Sequence, residues 1–156
     1  MSPRVLIIDD EPDWQETFKD IFVSSGFEAD TVAGTGSAKE LLETTAYRLL
    51  VFDIFLTPTQ VPLNYQGFLT FMNRTYPRVK VVAATGKLLP PDEAFALREL
   101  GVAGFIYKPK MQLDELRGLV HRLLEVKEPG PTPIRLLERR LGHLEQLLQE
   151  GFQELG

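Results

Sequence analysis

The chain has 156 residues, 44% hydrophobic and 25% charged, the balance of a protein with one buried core and room for a short appendage. A net charge of −5 argues against a nucleic-acid binder that relies on a basic surface. Cysteine is absent and histidine occurs only at His121 and His143, which excludes disulfide staples, thiolate chemistry and a histidine-rich metal centre.

Val5-Leu6-Ile7-Ile8 is short, continuous and β-branched, and it stops at Asp9-Asp10-Glu11-Pro12. An unalternating run of this kind suits a strand buried on both faces of a parallel sheet. Pro12 fits the first position of a helix, and Trp14, Phe18, Ile21 and Phe22 follow at helical spacing until Ser24-Ser25-Gly26. Residues 27–32 read as a second strand and 37–45 as a second helix, with Leu41 and Leu42 turned inward. Leu49-Leu50-Val51-Phe52 is a third buried strand, again ending in an acid, Asp53. A Pro-containing loop from Thr57 to Asn64 precedes a helix of about ten residues carrying Phe68, Leu69, Phe71 and Met72. The fourth strand covers 79–84 and stops at Thr85-Gly86, and a helix follows over 91–100. Residues 104–107 form a short fifth strand that meets Lys108-Pro109, and the fifth helix covers 113–126. Alternation of this kind predicts a doubly wound parallel sheet with helices on both faces, in the flavodoxin-like strand order 2-1-3-4-5.

In such sheets the site lies beyond the carboxyl ends of the strands. Strand 1 delivers Asp9 and Asp10 there, strand 3 Asp53, strand 4 Thr85 and strand 5 Lys108. Three clustered carboxylates need a cation, and an all-oxygen set suits Mg²⁺. An aspartate beside such a metal can act as a nucleophile towards phosphorus, while a lysine neutralises the phosphoryl oxygens in transit. Taken singly, Asp9-Asp10 would suit a helix N-terminus and Thr85-Gly86 a plain turn; it is their convergence that points to phosphoryl chemistry.

The motifs Val5–Pro12, Leu50–Asp53, Thr85-Gly86 and Lys108-Pro109, in that order, resemble the receiver domain of bacterial two-component response regulators over residues 4–126. The resemblance implies that Asp53 is the phospho-acceptor. Mg²⁺ would be bound by Asp10 directly, by Asp9 through water, by Asp53 and by the backbone carbonyl of Phe55. Thr85 would be the switch hydroxyl, Lys108 the lysine that pairs with the phosphoryl group, and Phe105 the rotating aromatic. The Lys108-Pro109 bond is expected to be cis. The donor would be a histidine kinase or a phosphotransfer protein, with output through a downstream protein partner. A phosphorylation-independent binding or dimerisation module on the same fold is the alternative. Two features depart from the family pattern. Thr57 stands where a proline is usual and Gly67 arrives late, so the 57–65 loop is enlarged and the third helix is expected to be shortened by about a turn. Phe55 and Lys87 occupy the positions that tune dephosphorylation, and the bulk of Phe55 predicts a long-lived phosphorylated state.

Residues 127–133, Lys-Glu-Pro-Gly-Pro-Thr-Pro, read as a stiff linker. Beyond it Ile134, Leu137, Leu141, Leu144, Leu148 and Leu155 lie on a heptad seam of about three heptads. The expected organisation is a receiver over 1–126, a linker over 127–133 and an amphipathic helix over 134–156, with residues 134–155 as a possible homodimer seam. The tail leaves no room for a helix-turn-helix domain, so direct DNA binding is not expected. No apolar run reaches the roughly 18 residues of a membrane span, and Met1-Ser2-Pro3-Arg4 does not open a signal peptide; a cytoplasmic protein is expected.

Overall fold

The computed structural model describes residues 3–54 and 63–124. Five strands, β1 (Arg4–Ile8), β2 (Glu28–Val32), β3 (Leu49–Asp53), β4 (Lys80–Thr85) and β5 (Val102–Tyr107), form one parallel sheet in the order β2-β1-β3-β4-β5. The helices are α1 (Pro12–Ser24), α2 (Thr35–Thr44), α3 (Leu63–Thr75), α4 (Pro91–Glu99) and α5 (Leu113–Leu124), and a 3-10 turn, Lys108–Lys110, follows β5. This is the doubly wound order expected from the alternation of elements.

The central strands are apolar throughout because both of their faces are covered. Leu6, Ile8, Leu50, Phe52, Val81 and Ala83 face one apolar layer, which also takes in Ala38 and Leu42 of α2, Phe68, Leu69 and Met72 of α3, and Leu97 of α4. Val5, Ile7, Leu49, Val51, Val82 and Ala84 face the other, with Phe18 and Phe22 of α1 and Leu116 and Val120 of α5. The strand side chains alternate between the two layers as the pleat requires. Pro12 and Pro91 open α1 and α4, where a missing N–H costs nothing.

Most element boundaries fall within one or two residues of the sequence reading. The third helix does not: it has 13 residues and begins at Leu63, so it is not shortened, and residues 63–65 belong to it rather than to the preceding loop. The aromatic and apolar positions that follow, Phe68 to Met72, give the helix enough buried surface to extend in the N-terminal direction despite the late Gly67. Residues 55–62 of the enlarged loop lie outside the described residues. β5 starts two residues earlier than expected, and its pairing with β4 shifts register: Val81 faces Val102 but Val82 faces Gly104, leaving Ala103 as an extra residue. The linker and heptad tail also lie outside the described residues, and no described helix is long and apolar enough to cross a membrane.

Candidate functional site at the carboxyl ends of the strands

Register delivers the predicted residues to one rim. Asp53 is the last residue of β3 and pairs with Ala84, Thr85 ends β4 opposite Tyr107, and Lys108 follows Tyr107 directly. Asp9 leaves β1 with its backbone N–H still donating to Val32 O at 3.0 Å. These polar side chains are deeply sequestered: Asp9 is 1% exposed, Thr85 3%, Asp53 4% and Lys108 5%.

Burial at this level demands partners, and for Asp9, Asp53 and Lys108 the partners include one another. Lys108 Nζ donates to Asp9 Oδ2 at 2.5 Å and to Asp53 Oδ2 at 2.9 Å. Asp9 Oδ1 accepts the backbone N–H of Glu11 at 3.0 Å, and Gln15 Nε2 donates to the Asp9 carbonyl at 2.6 Å, tying the first turn of α1 to the strand end. Burial raises the Asp9 carboxyl above its ordinary value, and the hydrogen bonds from Lys108 and Glu11 offset that only in part. For Lys108 burial pulls the ammonium down, but its hydrogen bonds to Asp9 and Asp53 outweigh the loss, so its pKa is raised. Asp10, only half-buried, completes the group: carboxylate oxygens of Asp9, Asp10 and Asp53 all lie within 4.8 Å of one another. One lysine against three acids leaves an excess of negative charge, and hard oxygen donors at this spacing fit Mg²⁺.

The remaining predicted residues are placed less simply. The Thr85 hydroxyl donates to Lys87 O at 2.9 Å and accepts from Lys87 N at 3.0 Å, closing a local turn. Phe105 is half-buried against the apolar layer of α4, with the Arg98 guanidinium 5.5 Å from its ring centroid. Phe55 lies outside the described residues. The expected cis bond is corrected: among the described residues no peptide bond is cis, and a trans Lys108-Pro109 lets Pro109 take a first-turn position of the 3-10 turn.

One participant was missed from the sequence. Trp14 reads there as a core position of α1, but its ring centroid is 5.0 Å from Lys108 Nζ. Helical side chains lean towards the helix N-terminus, so a large residue one turn after the acid pair is aimed at the rim; that spacing was the available signal.

The family model for the response regulator receiver domain matches residues 5–121. The chain belongs to that family. The nitrogen assimilation regulatory protein NtrX of Azorhizobium caulinodans is 29% identical to this receiver over 149 residues, 96% of the chain and 30% of that protein. This chain therefore spans about 30% of the length of the curated relative it matches. Among solved structures, a response regulator from Thermotoga maritima is similar with a TM-score of 0.71 at 18% identity, over 80% of this chain and 98% of that one. NtrX from Brucella abortus, solved in complex with ADP, gives a TM-score of 0.69 at 26% identity, over 92% of this chain and 29% of that one. Receiver domains are signalling modules of two-component response regulators, and residues 5–121 form one of them.

Proposed function

We propose that this receiver accepts a phosphoryl group on Asp53 in Mg²⁺-dependent transfer from a histidine kinase or a phosphotransfer protein. The observation that carries this reading is the juxtaposition of Asp53 with Lys108 at 2.9 Å inside a cluster whose three carboxylates lie within 4.8 Å. Asp9, Asp10 and Asp53 would hold the metal, with the Phe55 carbonyl as a further ligand; bound there, Mg²⁺ supplies positive charge against the phosphoryl oxygens. A carboxylate oxygen of Asp53 attacks phosphorus as the bond to the donor's imidazole nitrogen breaks, and the imidazole leaves with the bonding electron pair. Lys108 stays beside the acceptor and offers its ammonium to the transferred oxygens.

The added charge and acceptor oxygens are read by Thr85, which exchanges its local bonds to Lys87 for the phosphoryl group, and by Phe105, which turns inward as the face made by α4, β5 and α5 shifts. Output passes to a downstream protein or through the 134–156 helix, with residues 134–155 as a dimer seam joined to the 1–126 receiver by the 127–133 linker. Direct DNA binding has no part in this reading, and the setting is the cytoplasm.

Intact mass after incubation with Mg²⁺ and a small phosphodonor tests it, with Asp53→Asn beside the wild type. One phosphoryl group added to the wild type alone is the expected result. No addition under excess donor and metal would overturn it in favour of a phosphorylation-independent module.

A further inference from the structure

Among the described residues Lys108 has four neighbours that can hold its charge, and three of them are carboxylates: Asp9 at 2.5 Å, Asp53 at 2.9 Å and the exposed Glu11 at 3.9 Å. The fourth is the face of Trp14, with its centroid 5.0 Å from Nζ. The indole is itself held by the core, since its centroid is 5.5 Å from that of the fully buried Phe18. An ammonium has three donors, of which Asp9 and Asp53 take two. The carboxylates that hold Lys108 are also the ligands a divalent cation would claim, and two cations on one carboxylate oxygen repel each other. An aromatic face attracts an ammonium through its quadrupole but offers no lone pair to a hard cation. Its hold on Lys108 therefore does not compete with metal binding.

We infer that Trp14 is a positioning residue that keeps the Lys108 ammonium beside Asp53 when a divalent cation occupies the carboxylate cluster. The inference rests on the reading of Asp53 as phospho-acceptor and adds to it a residue outside the signature motifs. It also gives a reason for a tryptophan, the single one in the chain, in the first turn of α1.

The test uses the full chain as wild type, Trp14→Phe and Trp14→Leu. Proton–nitrogen correlation spectra of the lysine ammonium groups read the contact directly, because the indole ring current displaces the Lys108 signal upfield. The displacement is expected in the wild type, reduced in Trp14→Phe, lost in Trp14→Leu, and retained in the wild type after Mg²⁺ is added. With saturating Mg²⁺, Trp14→Leu is expected to slow phosphorylation by a small phosphodonor about fivefold. Trp14→Phe recovers part of the rate, and calorimetric Mg²⁺ affinity is unchanged. An undisplaced Lys108 signal, a displacement abolished by Mg²⁺, or a wild-type rate in Trp14→Leu would each overturn the inference. A wild type that takes no phosphoryl group would defeat the reading of Asp53 instead, while the spectra would still decide where Lys108 is held.

Discussion

The ammonium of Lys108 and the carboxylate of Asp9, 99 residues apart in the chain, meet at 2.5 Å in a pocket that excludes water from both. Two opposing effects act on this pair. Burial disfavours both charges, while the contact favours both. For Lys108 the contacts win, since Asp53 contributes as well; for Asp9 burial wins.

That asymmetry fixes the sign of one substitution. The folded site prefers a neutral side chain at position 9, and Asp53 keeps Lys108 paired after the change. Asp9→Asn is therefore expected to raise the thermal midpoint of the metal-free protein at neutral pH, each kcal/mol reading as about 3 °C for a chain of this size. A fall in the midpoint would show that the ion pair outweighs the burial of Asp9.

Removing the cation has the opposite effect. Lys108→Met leaves Asp9 and Asp53 buried near each other without their shared donor, a loss of about 3–5 kcal/mol in metal-free buffer. Mg²⁺ then stabilises this variant more than the wild type, because it meets unopposed carboxylates. Urea unfolding of both proteins with and without Mg²⁺ measures the difference, and equal metal responses would contradict the shared-site geometry.

Alkaline pH should weaken the fold through two groups. Lys108 and Tyr47 both have folded pKa values above their ordinary 10.5 and 10.0. Tyr47 is raised by burial and by its hydrogen bond to Asp30 Oδ2 at 2.6 Å. A group whose folded pKa exceeds its unfolded one contributes stability that is complete below the unfolded value and lost as pH rises through the folded one. The urea midpoint is therefore expected to decline above about pH 10, less steeply in Tyr47→Phe and in Lys108→Met. An unchanged slope in both variants would place the alkaline loss elsewhere.

Gly101 is constrained twice over. Its φ of +96° is unfavourable for any L side chain, and a Cβ there would overlap the Asn73 amide, which donates to the Leu100 carbonyl at the end of α4. Gly101→Ala is expected to cost about 1–3 kcal/mol. In the Asn73→Ala background the overlap is gone and only the backbone strain remains, so the two changes should combine to less than their sum in a double-mutant cycle.

The bulk of Phe55 predicts slow loss of the phosphoryl group once it is attached. A Phe55→Asn variant should hydrolyse several-fold faster at neutral pH, as followed by intact mass over time. Equal half-times would remove Phe55 from any role in phosphoryl lifetime.

Much of the fold and of the site is legible in the sequence, and the reasons are local. Val5–Ile8 and Leu49–Phe52 are continuous apolar runs because both sheet faces are covered, and each run stops at an acid because the strand ends there. The Asp9, Asp53 and Lys108 constellation followed from strand order alone. Trp14 was missed because helical periodicity cannot separate a core aromatic from one that also lines the rim. The length of α3 is not legible there, because a late Gly67 signals a short helix while the packing of Phe68, Leu69 and Met72 is visible only in the fold. The trans Lys108-Pro109 bond and the Thr85–Lys87 turn depend on backbone geometry that residue types do not encode.

The extra residue Ala103 on β5 has a further consequence. Val102 lies on the α4 side, and strict alternation from it would carry Ile106 to that side and Phe105 to the α5 side. Because Ala103 inserts one step, Phe105 pairs with Ala83 and Ile106 with Ala84, which sends Phe105 to α4 and Ile106 to α5. Pairing Ala103 with Val82 in a regular ladder would exchange the two, whereas deleting position 103 would leave Phe105 opposite Ala83, on the α4 side. The side of the sheet on which Phe105 lies is thus set by the bulge at Ala103, not by the chemistry of residue 105.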